Sequence, residues 1–228
     1  MKNPKLERPV VAVDVVALRL TKDRLEVLLQ QRAEDPFQGV WALPGVALRV
    51  DETLESAARR ALAEKGGLPP GELPSVHLEQ LATFGGVFRD PRGRTVSVAY
   101  LGLYRTAGGP EGTGRWTPVD AVPRGGLPFD HEEILATALE RLRGKVRYTN
   151  IARCLLPPVF RIEELQAAYE AILERRLNLT NFRTKLLALG LIRRERVLAE
   201  AVGSRGGRPP HLYRFVQDRV ESADREFV

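Results

Sequence analysis

The sequence predicts an α+β protein in two parts: a mixed β-sheet and helix sandwich, then a smaller helical module with a β-hairpin. Three observations carry that expectation. Apolar, Val- and Leu-rich runs at Val10–Leu20, Leu25–Gln31, Val76–Phe84 and Thr95–Tyr104 read as strands. Between the second and third lies a Gly-led loop that runs into a helix, GVALRVDETLESAARRALAEKGG, Gly45–Gly67. Beyond residue 145 the texture changes to two short helical patterns followed by two strand-like runs. The 228 residues suffice for one large domain or two modest ones, and 43% hydrophobic residues allow a real core. Residues 1–145 are expected to form the first domain and 146–228 the second.

The first two strands are joined by the polar turn TKDR. The loop QQRAEDPFQGVWALPGV follows, punctuated by Pro36, Gly39, Pro44 and Gly45. By residue type Trp41 in this loop suits a core; its position in the motif also makes it a candidate ligand contact. The helix after the loop spans Thr53–Lys65, with Leu54, Ala57, Ala58, Ala61 and Leu62 as its apolar stripe and Gly66-Gly67 as its stop. GGVFRDPRGR separates the next two strands, and Trp116–Val119 reads as a last short one. FDHEEILATALERLRGK is a helix, with Asp130 expected as N-cap, acidic residues in its first turn, basic ones near its end, and Gly144 closing it. In the second part Ile162, Leu165, Tyr169, Ile172 and Leu173 recur at helical spacing. Asn178 is expected to cap a further helix whose Phe182, Leu186, Leu187 and Leu189 point inward. Leu191–Ala199 and Leu212–Val216 then flank the loop VGSRGGRPPH. Helix, turn, helix and hairpin is the order of a winged helix-turn-helix.

The composition narrows the class. A single cysteine, Cys154, excludes an internal disulfide or a cysteine-rich zinc cluster and suits a reducing cytoplasm. MKNPKLERP has no apolar run of a signal peptide, and Asp14 marks Val10–Leu20 as a strand and not a membrane span. The net charge is +6, and residues 146–228 carry fifteen basic against ten acidic residues, five of those six charges. A basic C-terminal module suits a polyanionic partner.

The loop and helix of Gly45–Gly67 resemble the Nudix box, G-x5-E-x7-R-E-U-x-E-E-x-G-U, the metal-binding element of nucleoside-diphosphate hydrolases. Gly45, Arg59, Glu64 and Gly66 fit the pattern, and Asp51 stands at the first Glu. Arg60 and Ala63 replace two of the other Glu residues. Positions 60, 63 and 64 share one helix face. Hydrolases place three carboxylates there for hard divalent cations. One carboxylate beside one guanidinium is a poor magnesium site, so no metal, cofactor or catalytic residue is expected. Arg60 and Glu64 then read either as a surface i,i+4 pair or as a guanidinium in place of the missing cation, meeting a ligand phosphate.

Downstream, Phe84, Gly85, Arg89, Asp90, Pro91, Arg92, Arg94, Ser97 and Tyr100 resemble the Nudix branch that handles ADP-ribose and the regulators derived from it. Phe160–Phe215 resembles the C-terminal domain of Nudix-related transcriptional regulators of NAD metabolism. The resemblance covers almost the whole chain, with FDHEEILATALERLRGKVRYT as the matching linker. It implies a homodimeric repressor with a degenerate Nudix-type sandwich that binds ADP-ribose or a related nucleotide or sugar phosphate, and a winged helix on a palindromic double-stranded operator. The effector-site candidates are Arg32, Trp41, Arg49, Arg60, Glu64, Phe84, Arg89, Asp90, Tyr100 and His131; His131 reads equally as a plain helix-start residue. The DNA-contact candidates are Arg176, Thr180, Asn181, Arg183, Thr184 and Lys185, with Arg205 and Arg208 in the Gly-rich wing. The rival expectation is an active ADP-ribose pyrophosphatase carrying a DNA-binding tail.

Overall fold

The structure, a computed structural model, describes residues 8–21, 24–105, 114–195, 211–223 and 226. The chain packs as two compact units, Met1–Leu18 with Glu26–Ala138 and Arg19–Leu25 with Leu139–Val228. Among the described residues no helix is long and apolar enough to cross a membrane.

The first unit is built on a seven-stranded sheet. β1 (Val10–Thr21) and β2 (Arg24–Gln31) lie at its centre, and the order runs β3 (Trp41–Ala42), β2, β1, β6 (Thr95–Tyr104), β5 (His77–Phe84). Two further strands attach to this path: β4 (Gly45–Ala47) pairs with β1, and β7 (Gly114–Pro118) pairs with β2. The helix α1 (Leu54–Glu64) buries Ala57, Ala58, Ala61 and Leu62 against Val13, Val15, Ala17 and Leu28, with Leu54 partly buried beside them. Small Ala side chains let this face sit close to the sheet. Thr53 caps the helix, its Oγ1 accepting from the Ser56 amide at 3.1 Å. At the other end the Lys65 and Gly66 amides both donate to the Ala61 carbonyl.

Two glycines of the box are required by packing. Asp14 lies directly across from Gly45 in the β1–β4 pair, and a Cβ at Gly45 would come within 2.0 Å of Asp14 Oδ1. A Cβ at Gly66 would meet the Leu62 carbonyl oxygen at 2.6 Å and Leu28 Cδ2 at 2.7 Å. Their retention in the degenerate box is therefore explained without any catalytic role.

The helix α2 (His131–Lys145) differs from the expectation at both ends. Asp130 gives its backbone carbonyl to Ile134, but both carboxylate oxygens accept from Arg89, so the side chain is no N-cap. Gly144 does not close the helix. Leu142 and Val146 are fully buried, and the Val146 amide still donates to the Leu142 carbonyl, so core burial carries the helical path past the glycine.

In the second unit, β8 (Phe160–Arg161), α3 (Ile162–Leu173), α4 (Leu179–Ala188), β9 (Ile192–Glu195) and β10 (Leu212–Phe215) follow in order. β10 lies between β8 and β9, antiparallel to both. Ile162, Leu165, Tyr169 and Ile172 of α3 are buried, as are Phe182 and Leu186 of α4. Asn178 Oδ1 accepts from the Asn181 amide at 3.0 Å and starts α4. Leu189, expected to point inward, is exposed because α4 ends at Ala188, and Leu187 is only half-buried.

Candidate effector site and nucleic-acid interface

A cavity of about 890 Å³ opens beside the box in the first unit. β1 supplies Val10, Ala12 and Asp14; the box supplies Gly45–Arg49, Arg60, Glu64 and Lys65; the loop before β6 supplies Arg89, Asp90, Arg92 and Arg94. Eight Arg or Lys residues but only four Asp or Glu line it, a charge balance that favours an anionic ligand.

The floor of the cavity is a buried ionic network. Arg89, its side chain 5% exposed, donates from Nε and Nη2 to the two oxygens of Asp130 at 2.7 and 2.6 Å. The same Nη2 reaches Asp14 Oδ2 at 3.4 Å, and the Ser97 hydroxyl donates to that oxygen. Burial works against the Arg89 charge, but the hydrogen bond and field of Asp130, with the field of Asp14, outweigh it and raise its pKa. His131 is buried alongside. Its Nδ1 accepts from the Leu43 amide at 3.1 Å, and Nε2 lies 3.7 Å from Asp14 Oδ1. Burial lowers its pKa, so the neutral ring with the proton on Nε2 is the form that fits.

The box face is closed by an ion pair. Arg60 donates Nε to Glu52 Oε2 at 3.0 Å and Nη2 to Glu52 Oε1, with further bonds to the Ala47 carbonyl at 2.9 Å and Glu64 Oε2 at 3.2 Å. Its hydrogen bonds to Glu52 hold that carboxyl far below its ordinary 4.5, at about 2. Asp51, which the motif aligns with the first Glu, is exposed, and its neighbour Glu52 faces the helix instead. The residues present do not fit the divalent cation of Nudix hydrolases. The carboxylates of Glu52 and Glu64 and one carbonyl, all acceptors a hard cation would want, are taken by a guanidinium. Among the described residues no group of three or more His, Cys, Asp or Glu is arranged to hold a metal ion.

Two predictions arise here. Because the Glu52 pKa is depressed on folding, its stabilisation of the loop is complete above pH 4.5 and is lost as pH falls towards about 2. Hydrogen exchange of the 49–53 segment should show that acid loosening in the wild type and not in Glu52→Gln. Arg60→Glu should lower Tm in EDTA, because it sets a third carboxylate beside Glu52 and Glu64. Millimolar Mg²⁺ should restore it by binding only the folded state, while the wild type stays indifferent.

Of the expected effector residues, Arg32, Arg49, Arg60, Glu64, Arg89, Asp90 and His131 line the cavity. Phe84 does not; it lines a separate cavity of about 460 Å³ with Phe88, Arg89 and Asp130. Trp41 is also off the wall: β3 pairs it with Gln31, and its ring lies under the Arg115 guanidinium, 4.1 Å away. Tyr100 is only 8% exposed and packs in the core cluster with Tyr104 and Trp116, because β6 is buried on both faces. Arg92 and Arg94, which the resemblance to the ADP-ribose branch also singles out, line the cavity as well. Sequence reasoning missed Asp14 and Phe129 on its wall, and Glu52 as the partner of Arg60. Of these only Asp14 left a signal, a lone charge in an apolar strand.

In the second unit α4 presents Thr180, Asn181, Thr184 and Lys185 to solvent, with Arg183 half-buried at the side. Arg176 is almost fully exposed and pairs with Glu170 at 2.9 Å. Arg193 and Arg194 of β9 add exposed basic charge that the motif reading did not include. Arg205 and Arg208 lie outside the described residues.

A Nudix sandwich with a cationic pocket, joined to a winged helix, defines a ligand-binding regulator as the class. The NUDIX domain profile matches residues 8–139, and the profile of the NrtR DNA-binding winged helix domain matches residues 152–215. The chain belongs to the family of Nudix-related transcriptional regulators typified by NrtR. It is 35% identical over 214 residues to the ADPR responsive transcriptional repressor NtrR of Acinetobacter baylyi, covering 91% of this chain and 82% of that protein. It resembles Shewanella oneidensis NrtR complexed with a 27mer DNA at a TM-score of 0.74 and 31% identity, over 90% of this chain and 93% of the other. The NUDIX domain of the same Shewanella protein complexed with ADP ribose matches at a TM-score of 0.53 and 36% identity, over 61% of this chain and 93% of that one.

Proposed function

We propose that the protein is a cytoplasmic, homodimeric transcriptional repressor of genes of NAD or sugar-phosphate metabolism. Its cationic cavity binds ADP-ribose or a related nucleotide or sugar phosphate without hydrolysing it, and α4 enters the major groove of a palindromic operator. The observation that carries this reading is Arg60: a box whose acceptors are saturated by a guanidinium keeps a basic cavity of about 890 Å³ and lacks the carboxylate cluster that turnover needs. The Shewanella relative is complexed with DNA in one structure and, as its NUDIX domain, with ADP ribose in another, which supports both halves of the proposal. Regulation requires that the effector bind the free and DNA-bound forms with different affinity.

A mobility-shift assay on the gene's own upstream region, with and without ADP-ribose, tests the reading. A specific shift that ADP-ribose alters is expected; no shift at any salt sinks it. Release of AMP from ADP-ribose with magnesium, abolished by Glu64→Gln, would instead establish the hydrolase alternative. Lys185→Ala should weaken binding similarly at all sequences and reduce the salt slope by about one, since it removes a phosphate contact. An unchanged slope would remove Lys185 from the interface.

A further inference from the structure

Phe129 opens the matched linker, which gives it no role, and two of the cavity's cations gather around it. Its backbone has a φ of +57°, the left-handed region that a bulky residue seldom adopts without compensation. The guanidinium carbons of Arg32 and Arg92 lie over its ring, 4.8 and 5.6 Å from the centroid. Phe37, itself at φ +68°, meets the ring edge-on at 5.0 Å, and His131 lies tilted against it at 5.4 Å. A ring so surrounded is not an open platform for a stacked base.

The two guanidinia are unequally neutralised. Arg92 donates Nε and Nη2 to the two oxygens of Asp90, at 3.0 and 2.7 Å. Arg32 donates only to backbone carbonyls, Pro36 through Nε at 2.8 Å and Glu34 through Nη2 at 3.2 Å. Among the described residues Arg32 has no carboxylate within ion-pair distance, and neither Nη1 group has a partner. Burial and the nearby Arg92 charge lower the Arg32 pKa, the sign of two cations held together against repulsion. Both residues line the cavity, so the two free Nη1 groups are available to one ligand. Arg60, by contrast, already donates to the carboxylates of Glu52 and Glu64 and to the Ala47 carbonyl.

We propose that Phe129 is a positioning residue that holds Arg32 and Arg92 together by cation–π contact, making a two-armed seat selective for a diphosphate over a single phosphate. The inference rests on the effector reading above and moves the anion seat from the box helix to the Arg32–Phe129–Arg92 cluster. The free Nη1 groups of two guanidinia match two linked phosphate groups, whereas a single phosphate engages one arm.

The test is calorimetric binding of inorganic pyrophosphate and orthophosphate to the full chain, wild type against Phe129→Leu and Phe129→Tyr. Leu keeps the apolar bulk and loses the π face; Tyr keeps the face. Phe129→Leu should weaken pyrophosphate about tenfold, the scale of two partly desolvated cation–π contacts, while orthophosphate changes by less than about twofold. Phe129→Tyr should return pyrophosphate to within about twofold of wild type. Unchanged pyrophosphate binding in Phe129→Leu overturns the proposal. So does equal weakening of both anions without rescue by Tyr, which would make the ring a packing residue only. The underlying reading fails separately. If pyrophosphate binding depends on Phe129 while ADP-ribose neither binds nor alters the operator complex, the seat stands and the effector is another diphosphate. If ADP-ribose alters that complex equally in wild type and Phe129→Leu, the seat falls alone. A wild type that binds neither anion overturns the seat outright.

Discussion

Arg89→Met is expected to destabilise the first unit by about 3–5 kcal/mol, the cost of removing one partner from a buried ion pair. Met keeps most of the aliphatic volume, so the loss isolates the charge. The substitution leaves Asp130 and Asp14, their side chains 15% and 8% exposed, without their shared guanidinium. Denaturant unfolding followed by tryptophan fluorescence reads this unit alone, because Trp41 and Trp116 are the only two tryptophans and both belong to it. Arg89→Met combined with Asp130→Asn should recover part of the deficit, since the second change removes one of the stranded charges. A single variant within about 0.5 kcal/mol of wild type would show that water reaches the network and that it is no rigid floor.

Phe182→Ala should abolish specific operator binding and leave effector binding intact. Phe182 is 5% exposed and meets Tyr169 of α3 edge-on at 5.0 Å. Truncating a buried Phe costs about 3–5 kcal/mol, most of what a small domain has to spend. With Leu186 it is one of two buried anchors of α4, so its loss frees the helix that bears Thr180, Asn181, Thr184 and Lys185. The conservative Phe182→Leu should retain much of the affinity. Mobility shift on the operator and calorimetry with ADP-ribose, run on the same preparation, check both halves. Full-strength operator binding by Phe182→Ala would show that the second unit does not depend on this packing. Concurrent loss of ADP-ribose binding would contradict the independence of the two functions.

Much of the architecture was legible because it is encoded locally. The box helix follows from an apolar stripe at helical spacing, and Asn178 announces the start of α4. The Arg60–Glu64 contact follows from their separation by four residues on one helix. The parts that escaped depend on distances along the chain. Arg89 meets Asp130 across 41 residues and Asp14 across 75, and no pattern in one sequence pairs them. Glu52 was passed over for Asp51 because the turn before α1 decides which of two adjacent carboxylates faces inward. Tyr100, named through the resemblance, lies off the cavity wall because β6 is buried on both faces, and a motif match does not say which buried position opens onto a pocket. The Arg115 contact that holds the Trp41 ring was not legible, because Arg115 sits on a strand whose pairing with β2 is non-local.

A covalently attached charge has no dissociation constant. Where a relative must draw its counter-ion from solution, the positive charge at Arg60 is present at full occupancy in every molecule and cannot be chelated away. The loop it fastens is therefore set at synthesis and does not track the ionic supply of the cell. A switch whose resting state is fixed in this way reports one concentration, that of its effector, without a second variable to confound it.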